Sequence, residues 1–279
     1  MAQDGTAGTT SNTPHPWEIN VPAARYELKY LITERKARRM ADFLAAYCVP
    51  DPFLGPAGGS YCITSLYFDT LDLRLYWERK TLQPYRMKAR VRTYGSRCEG
   101  PVFLELKRRC NDVMIKTRAK VPRDRWPDAV AGDPEQLATW AKDRAGATMI
   151  HDFRSQCVGL SLRPYVSIRY DRVPLVGRFD PGVRVTFDRG LRYRPTKDAW
   201  LAPDDREYRP FDFADVFFAR ESLVVLELKF DGTYPLWMID AVRRFDLTRE
   251  SFSKYMATVD LMLTESSTYS PTMWKSVVV

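Results

Sequence analysis

Arg86-Met87-Lys88-Ala89-Arg90-Val91-Arg92-Thr93-Tyr94 is the stretch that decides the fold. Arg86, Lys88, Arg90, Arg92 and Tyr94 share one parity, and Met87, Ala89, Val91 and Thr93 take the other. A period of two marks a β-strand with two unlike faces. One face is a row of cations; the other is small and mostly apolar.

The pattern recurs outward along the chain. Residues 102–109 set Phe103, Glu105, Lys107 and Arg109 against Val102, Leu104 and Leu106. Residues 113–121 set Lys116, Arg118 and Lys120 against Val113, Ile115, Ala119 and Val121. Residues 183–188 set Arg184, Thr186 and Asp188 against Val183, Val185 and Phe187; residues 224–230 set Glu227 and Lys229 against Val224, Leu226, Leu228 and Phe230. Residues 26–32 set Glu27 and Lys29 against Tyr26, Leu28, Tyr30 and Ile32. Segments 61–69 and 164–173 alternate less cleanly and bring the count to about eight.

A single strand with a charged face belongs to any sheet with one side in water. Six such strands dominated by Lys and Arg need another account, because like charges on neighbouring strands repel unless an anion lies between them. Closing the sheet with its charged faces inward supplies that anion with a site, and an eight-stranded barrel has room for about one ligand chain. The expected fold is α+β: a closed eight-stranded antiparallel β-barrel with flanking helices over its apolar exterior and a phosphate-rich polyanion in its lumen.

Thr33 is placed to cap a helix with Ala37, Met40, Leu44 and Tyr47 on one face. Residues 134–157 read as helical, Met238, Ala241, Val242 and Phe245 follow i, i+3, i+4, i+7 spacing, and Ser251 is placed to cap a final helix through Leu263. Residues 194–212, with several Pro and Asp, read as an exposed loop. The expected organisation is a disordered tail over 1–22, one domain over 23–265 and a C-terminal tail over 266–279.

Composition narrows the chemistry. The chain has 279 residues, 45% hydrophobic, with a net charge of +8, enough for a sizeable core and a bias toward acidic partners. Five Cys without CxxC spacing read as reduced cytoplasmic thiols, not a disulfide framework. His15 and His151 are the only His, so a multi-His zinc site or a Ser-His-Asp triad has few candidates. Gly55-Pro56-Ala57-Gly58-Gly59-Ser60 lacks the Lys-Ser/Thr of a P-loop. No run approaches the ~18 apolar residues of a transmembrane segment, and no signal peptide is recognisable. Nucleic acid is disfavoured as a partner: the basic residues alternate inside strands and do not form an exposed, aromatic-laced patch.

Six segments occur in an order that resembles a known family: Tyr26-Glu27-Leu28-Lys29-Tyr30, Ser65-Leu66-Tyr67-Phe68-Asp69, Arg90-Val91-Arg92, Leu104-Glu105-Leu106-Lys107, Leu226-Glu227-Leu228-Lys229 and Phe252-Ser253-Lys254-Tyr255. From about residue 24 to 264 the chain resembles the VTC (vacuolar transporter chaperone) domain of polyphosphate polymerases, within the triphosphate tunnel metalloenzyme (CYTH-like) fold. The resemblance implies transfer of the ATP γ-phosphoryl group onto a growing inorganic polyphosphate chain, with a divalent metal, manganese before magnesium. It implies phosphate contacts for Lys29, Arg90, Arg92, Lys107, Lys116, Arg172, Arg184, Lys229 and Lys254, with Arg118 beside them. It implies accessory polar contacts for Tyr170 and Ser253 and a metal-binding role for Glu227, with Glu105 and Glu27 as secondary metal candidates.

The wider family opens with Glu-x-Glu-x-Lys; here Arg25 holds the first position, which is closer to the polyphosphate branch than to simple triphosphate hydrolysis. Eukaryotic polymerase subunits also carry an inositol-phosphate-sensing SPX domain and a membrane region. Neither is recognisable here, so a cytoplasmic protein is expected, with a membrane-protein partner for product export. The rival readings are a triphosphatase or nucleotide cyclase on the same fold and a non-catalytic polyphosphate-binding module.

Overall fold

The computed structural model describes residues 25–54, 59–201, 204–212 and 221–266. The predicted tails lie outside the described residues apart from Ser266, as does most of the 55–60 stretch. Ten strands run β1 (Arg25–Thr33), β2 (Cys48–Pro50), β3 (Tyr61–Asp69), β4 (Tyr85–Tyr94), β5 (Val102–Cys110), β6 (Val113–Val121), β7 (Arg163–Gly177), β8 (Arg184–Pro195), β9 (Arg209–Pro210) and β10 (Leu223–Asp231). The helices are α1 (Glu34–Leu44), α2 (Arg74–Lys80), α3 (Asp128–Ala131), α4 (Pro134–Ala138), α5 (Arg144–Gly159), α6 (Leu236–Arg244) and α7 (Lys254–Ser266).

Eight strands form one antiparallel path, β1-β10-β8-β7-β3-β4-β5-β6, with β2 and β9 appended to β7 and β8. The path is strongly curled. Lys107 on its seventh strand approaches Glu27 on its first to 3.7 Å. The expected closure does not occur, however: β1 and β6 do not pair, and the sheet is an open half-barrel. At β1 the space for a closing strand is taken by the segment after α6, where the Glu250 amide donates to the Lys29 carbonyl.

The convex side carries the apolar parity of each strand. Ala37, Met40 and Leu44 of α1, with Met238 and Ala241 of α6, cover Tyr30, Ile32, Val185, Phe187, Leu226 and Leu228. Ile150 and Phe153 of α5 cover Val91, Leu104, Leu106 and Ala119. At about 25 cal/mol per Å² of apolar surface, these two layers supply the main favourable term of the fold. The concave side is not charged throughout. Along its middle, Ile63, Tyr67, Val166 and Ile168 pack against Tyr255 and Val259 of α7, so a helix fills the floor of the half-barrel. The cations are left on two flanks, β1-β10-β8 with Arg172 of β7 and Lys254 of α7, and β4-β5-β6.

Two helices and one loop differ from the sequence expectation. The single helix expected over 134–157 is broken into α4 and α5, because Asp143 turns back to accept from Gly146 N and starts a new helix. The final helix starts at Lys254, with Ser253 Oγ accepting from Met256 N at 3.4 Å in the place expected of Ser251. The expected loop over 194–212 contributes the end of β8 and the short β9. Thr33 caps α1 as expected, accepting from Lys36 N at 3.2 Å.

One buried carboxylate pins the floor helix. Asp69, with no exposed surface, accepts from the amides of Thr70 (2.7 Å), Leu75 (2.9 Å) and Tyr76 (3.0 Å) and from the Tyr255 hydroxyl. It joins the end of β3 to α2 and α7. Asp69→Ala strands those donors in an apolar site and is expected to lower the unfolding free energy by about 3 kcal/mol or more in urea titration. Glu99→Ala, which removes an exposed pair with Arg97, is expected to change it by less than about 0.5 kcal/mol.

Candidate functional site

Strand register builds the site. Residues directly opposite on an antiparallel pair share a face. On one flank Glu27 lies opposite Lys229 and Lys29 opposite Glu227, while Thr186 and Arg184 of β8 lie opposite Glu227 and Lys229. On the other, Arg90 lies opposite Glu105, Glu105 opposite Arg118, and Lys107 between Lys88 and Lys116. Each flank is a checkerboard of cations around a few carboxylates.

Glu105 is the centre of the β4-β5-β6 flank. Arg90 reaches it at 2.6 Å, Lys116 at 3.4 Å, Arg118 at 3.6 Å and Arg92 at 3.9 Å. Burial alone would raise its pKa; Arg90, Arg92 and Lys116 overcome that and hold the carboxyl ionised far below its usual range. Arg90 also donates to the Tyr67 hydroxyl at 3.0 Å, and Arg118 stacks 3.4 Å above the Phe103 ring. Arg92 donates to Ser65 Oγ at 3.0 Å.

Glu227 and Asp188 are the centre of the other flank. Lys29 and Lys229 each reach Glu227 at 2.6 Å, with Arg172 at 3.7 Å and Lys254 at 3.8 Å. Arg172 holds fully buried Asp188 through a two-pronged contact of 2.6 and 2.8 Å, and Lys254 adds a third at 2.5 Å. Lys254 also lies 4.5 Å from the centre of the Tyr170 ring. Burial opposes the charge on Glu227, but Lys229, Lys29, Arg172 and Lys254 hold its carboxyl well below the usual range. Glu27 completes the flank through Lys29 and bridges to Lys107 across the open side.

The structure thus gathers Lys29, Arg90, Arg92, Lys107, Lys116, Arg118, Tyr170, Arg172, Lys229, Ser253, Lys254, Glu27, Glu105 and Glu227 on the two flanks. Arg184 stands apart: it lies opposite Lys229 at the first position of β8 and is exposed. Two residues absent from the predicted site belong to it, Asp188 and Lys88. Both share the parity of the charged faces, so alternation alone points to them. Arg79, on α2, joins them from outside the sheet and leaves no such signal. A cavity of about 390 Å³ opens between the flanks, lined by β1, β4, β5, Met114 of β6, Arg79 and the segment 249–253.

Among the described residues, no three metal-ligating side chains gather at one point. Two carboxylates, Glu27 and Glu227, do converge on one cation, the ammonium of Lys29. That donor pair fits a hard divalent ion that takes its remaining ligands from phosphate and water. Glu105 does not join the pair; four cations surround it on the opposite flank.

Residues 24–263 match the VTC domain family. The chain belongs to that family. Two solved structures resemble this VTC domain at a distance. A candidate adenylate cyclase from Vibrio parahaemolyticus is 11% identical, with a TM-score of 0.42, covering 86% of this chain and 99% of that one. A protein of Pyrococcus horikoshii is 10% identical, with a TM-score of 0.40, covering 87% and 99%. No curated protein matches the chain.

Lys116 gives this VTC domain a measurable pH response. Partial burial, reinforced by Arg90, Arg92 and Arg118 against the pull of Glu105, brings its ammonium down to about 8. The folded state therefore sheds this proton before the unfolded chain does, and Lys116 makes stability rise with pH above about 8. Anion binding responds oppositely: tripolyphosphate affinity is expected to fall as pH rises through about 8, and Lys116→Met is expected to flatten that step in calorimetric titrations.

Proposed function

We propose that this VTC domain is a metal-dependent phosphotransferase that moves the γ-phosphoryl group of ATP onto the end of an inorganic polyphosphate chain. The observation that carries the reading is the charge balance of the two flanks. Among the described residues, Lys29, Lys88, Arg90, Arg92, Lys107, Lys116, Arg118, Arg172, Lys229 and Lys254 stand on the flanks with Glu27, Glu105, Asp188 and Glu227, ten cations to four carboxylates, and Glu250 adds a fifth carboxylate at the cavity. A triphosphate carries about four negative charges. The surplus of cations is enough for a triphosphate and part of a second polyanion.

Phosphoryl transfer asks mainly for charge neutralisation and in-line alignment. Arg90, Arg92 and Arg172 present forks that match phosphate oxygens, and Lys29, Lys107, Lys229 and Lys254 act as compact charges. Their carboxylate partners keep them extended and oriented before substrate enters, so little reorganisation is left for the reaction. The terminal oxygen of the chain is ionised at neutral pH. It forms the new P–O bond as the bond from Pγ to the bridging oxygen of ADP breaks, and no protein base has to remove a proton. Glu27 and Glu227 are the residues to hold manganese or magnesium, whose charge offsets that of the phosphates. No helix among the described residues is long and apolar enough to cross a membrane.

Purified protein incubated with ATP and manganese is expected to produce a ladder of polyphosphate on a stained gel. Release of orthophosphate and ADP alone points to a hydrolase. Retention of polyphosphate without ATP consumption points to a binding module. Arg90→Ala and Lys229→Ala are expected to lower synthesis by about 10²-fold or more, as loss of one preorganised electrostatic contact does elsewhere. Glu227→Gln is expected to fold with a lowered melting temperature, because it leaves buried cations unpaired, and to lose most activity, with a raised manganese requirement. Lys36→Ala, on α1 outside the half-barrel, is expected to be silent.

A further inference from the structure

Two cations in the cavity are held differently from the rest. Lys88 donates to Ser253 Oγ at 2.7 Å, and Arg79 donates to Ser251 Oγ at 2.7 Å. Neither forms an ion pair with a carboxylate among the described residues, whereas Lys29, Arg90, Lys107, Lys116, Arg172, Lys229 and Lys254 all do. Both serine hydroxyls come from the segment that crosses the mouth of the cavity and is tied to β1 through Glu250 N and Lys29 O.

The surroundings of Lys88 make its isolation costly. Arg79 of α2, Arg90 of its own strand, Lys107 of β5 and Lys29 of β1 all stand near it, and the carboxylates lining the cavity are Glu27 and Glu250. Burial first, then Lys107, Arg79, Arg90 and Lys29, push its ammonium well below the usual range. A hydroxyl has no charge to offset this. It does have two acceptor lone pairs and a rotatable proton, so it holds a cation in place and then turns to donate to an incoming oxygen. Arg86 and Arg249 line the same cavity and add to its positive charge.

We infer that Arg79 and Lys88, held by Ser251 and Ser253, form a phosphate subsite at the mouth of the cavity that takes a phosphate group of a polyphosphate chain beyond those a triphosphate occupies. This rests on the proposed reading of polyphosphate as a substrate. The flanks, whose cations each pair with a carboxylate, suit a metal-bearing triphosphate; the mouth, where Arg79 and Lys88 pair only with hydroxyls, suits the metal-free stretch of the chain. Ser251 and Ser253 occupy the positions that chain oxygens take over.

The test is equilibrium binding of long-chain polyphosphate and of tripolyphosphate, without ATP, to wild type, Lys88→Met, Arg79→Gln and Lys88→Arg. Each methionine or glutamine variant is expected to lose about tenfold in affinity for the long chain and less than about twofold for tripolyphosphate. The slope of log affinity against log salt for the long chain is expected to become shallower by about one per cation removed. Lys88→Arg is expected to keep long-chain binding. If Lys88→Met fails to fold, Arg79→Gln on the half-exposed face of α2 decides the matter alone. Equal losses for both ligands, or none, overturn the subsite while leaving the polymerase reading in place. A wild-type protein that binds neither ligand overturns both.

Discussion

Cations placed on neighbouring strands of one half-buried face repel one another, and the rest of this structure is organised around containing that repulsion. Three carboxylates at the centres of the two flanks do most of it: Glu105 among Arg90, Arg92, Lys116 and Arg118, and Glu227 with Asp188 among Lys29, Lys229, Arg172 and Lys254. Each lies directly opposite a cation in strand register, so the pairing is set by backbone hydrogen bonds before any side chain is placed. Removing one of these carboxylates leaves several buried charges without partners, which is far more costly than losing a surface pair.

The remaining architecture offsets what that face costs. Apolar parity on the same strands packs under α1, α5 and α6, and α7 fills the floor of the curl with Tyr255 and Val259. The first residue of α7 is Lys254, whose ammonium reaches Asp188 and Glu227, so seating of the floor helix and assembly of one charged flank are a single event. Asp69 reinforces it from the far side through Tyr255. The fold and the site are therefore coupled through one helix, and variants that loosen α7 are expected to weaken both.

The strands with two unlike faces were legible in the sequence. Residues 86–94, 102–109, 113–121 and 224–230 fall within the observed β4, β5, β6 and β10 or one residue outside them, and parity assigned their charged faces correctly. The central strands β3 and β7 were fainter for a physical reason. β3 is buried almost from end to end because α7 covers its concave side, so apolar residues occupy both parities and alternation is erased. Closure of the barrel was not legible, since alternation reports which face is buried and says nothing of whether the last edge meets the first. Asp188 and Lys88 were visible by parity, whereas Arg79 reaches the cavity from a helix and depends on tertiary packing. Arg184 shows the converse: correct parity placed it on the right face, but at the end of the strand, where that face is open to water.

The central claim is that the two flanks are built to be neutralised by a phosphate polyanion. The most direct measurement is the melting temperature of the protein as a function of tripolyphosphate concentration at low and high salt. A ligand that binds only the folded state stabilises it in proportion to the logarithm of its concentration above the dissociation constant. The account predicts a rise in melting temperature that continues with each decade of tripolyphosphate, shrinks at high salt, and is lost in a protein carrying both Arg90→Ala and Lys229→Ala. A melting temperature indifferent to tripolyphosphate up to millimolar concentration at low salt would contradict it.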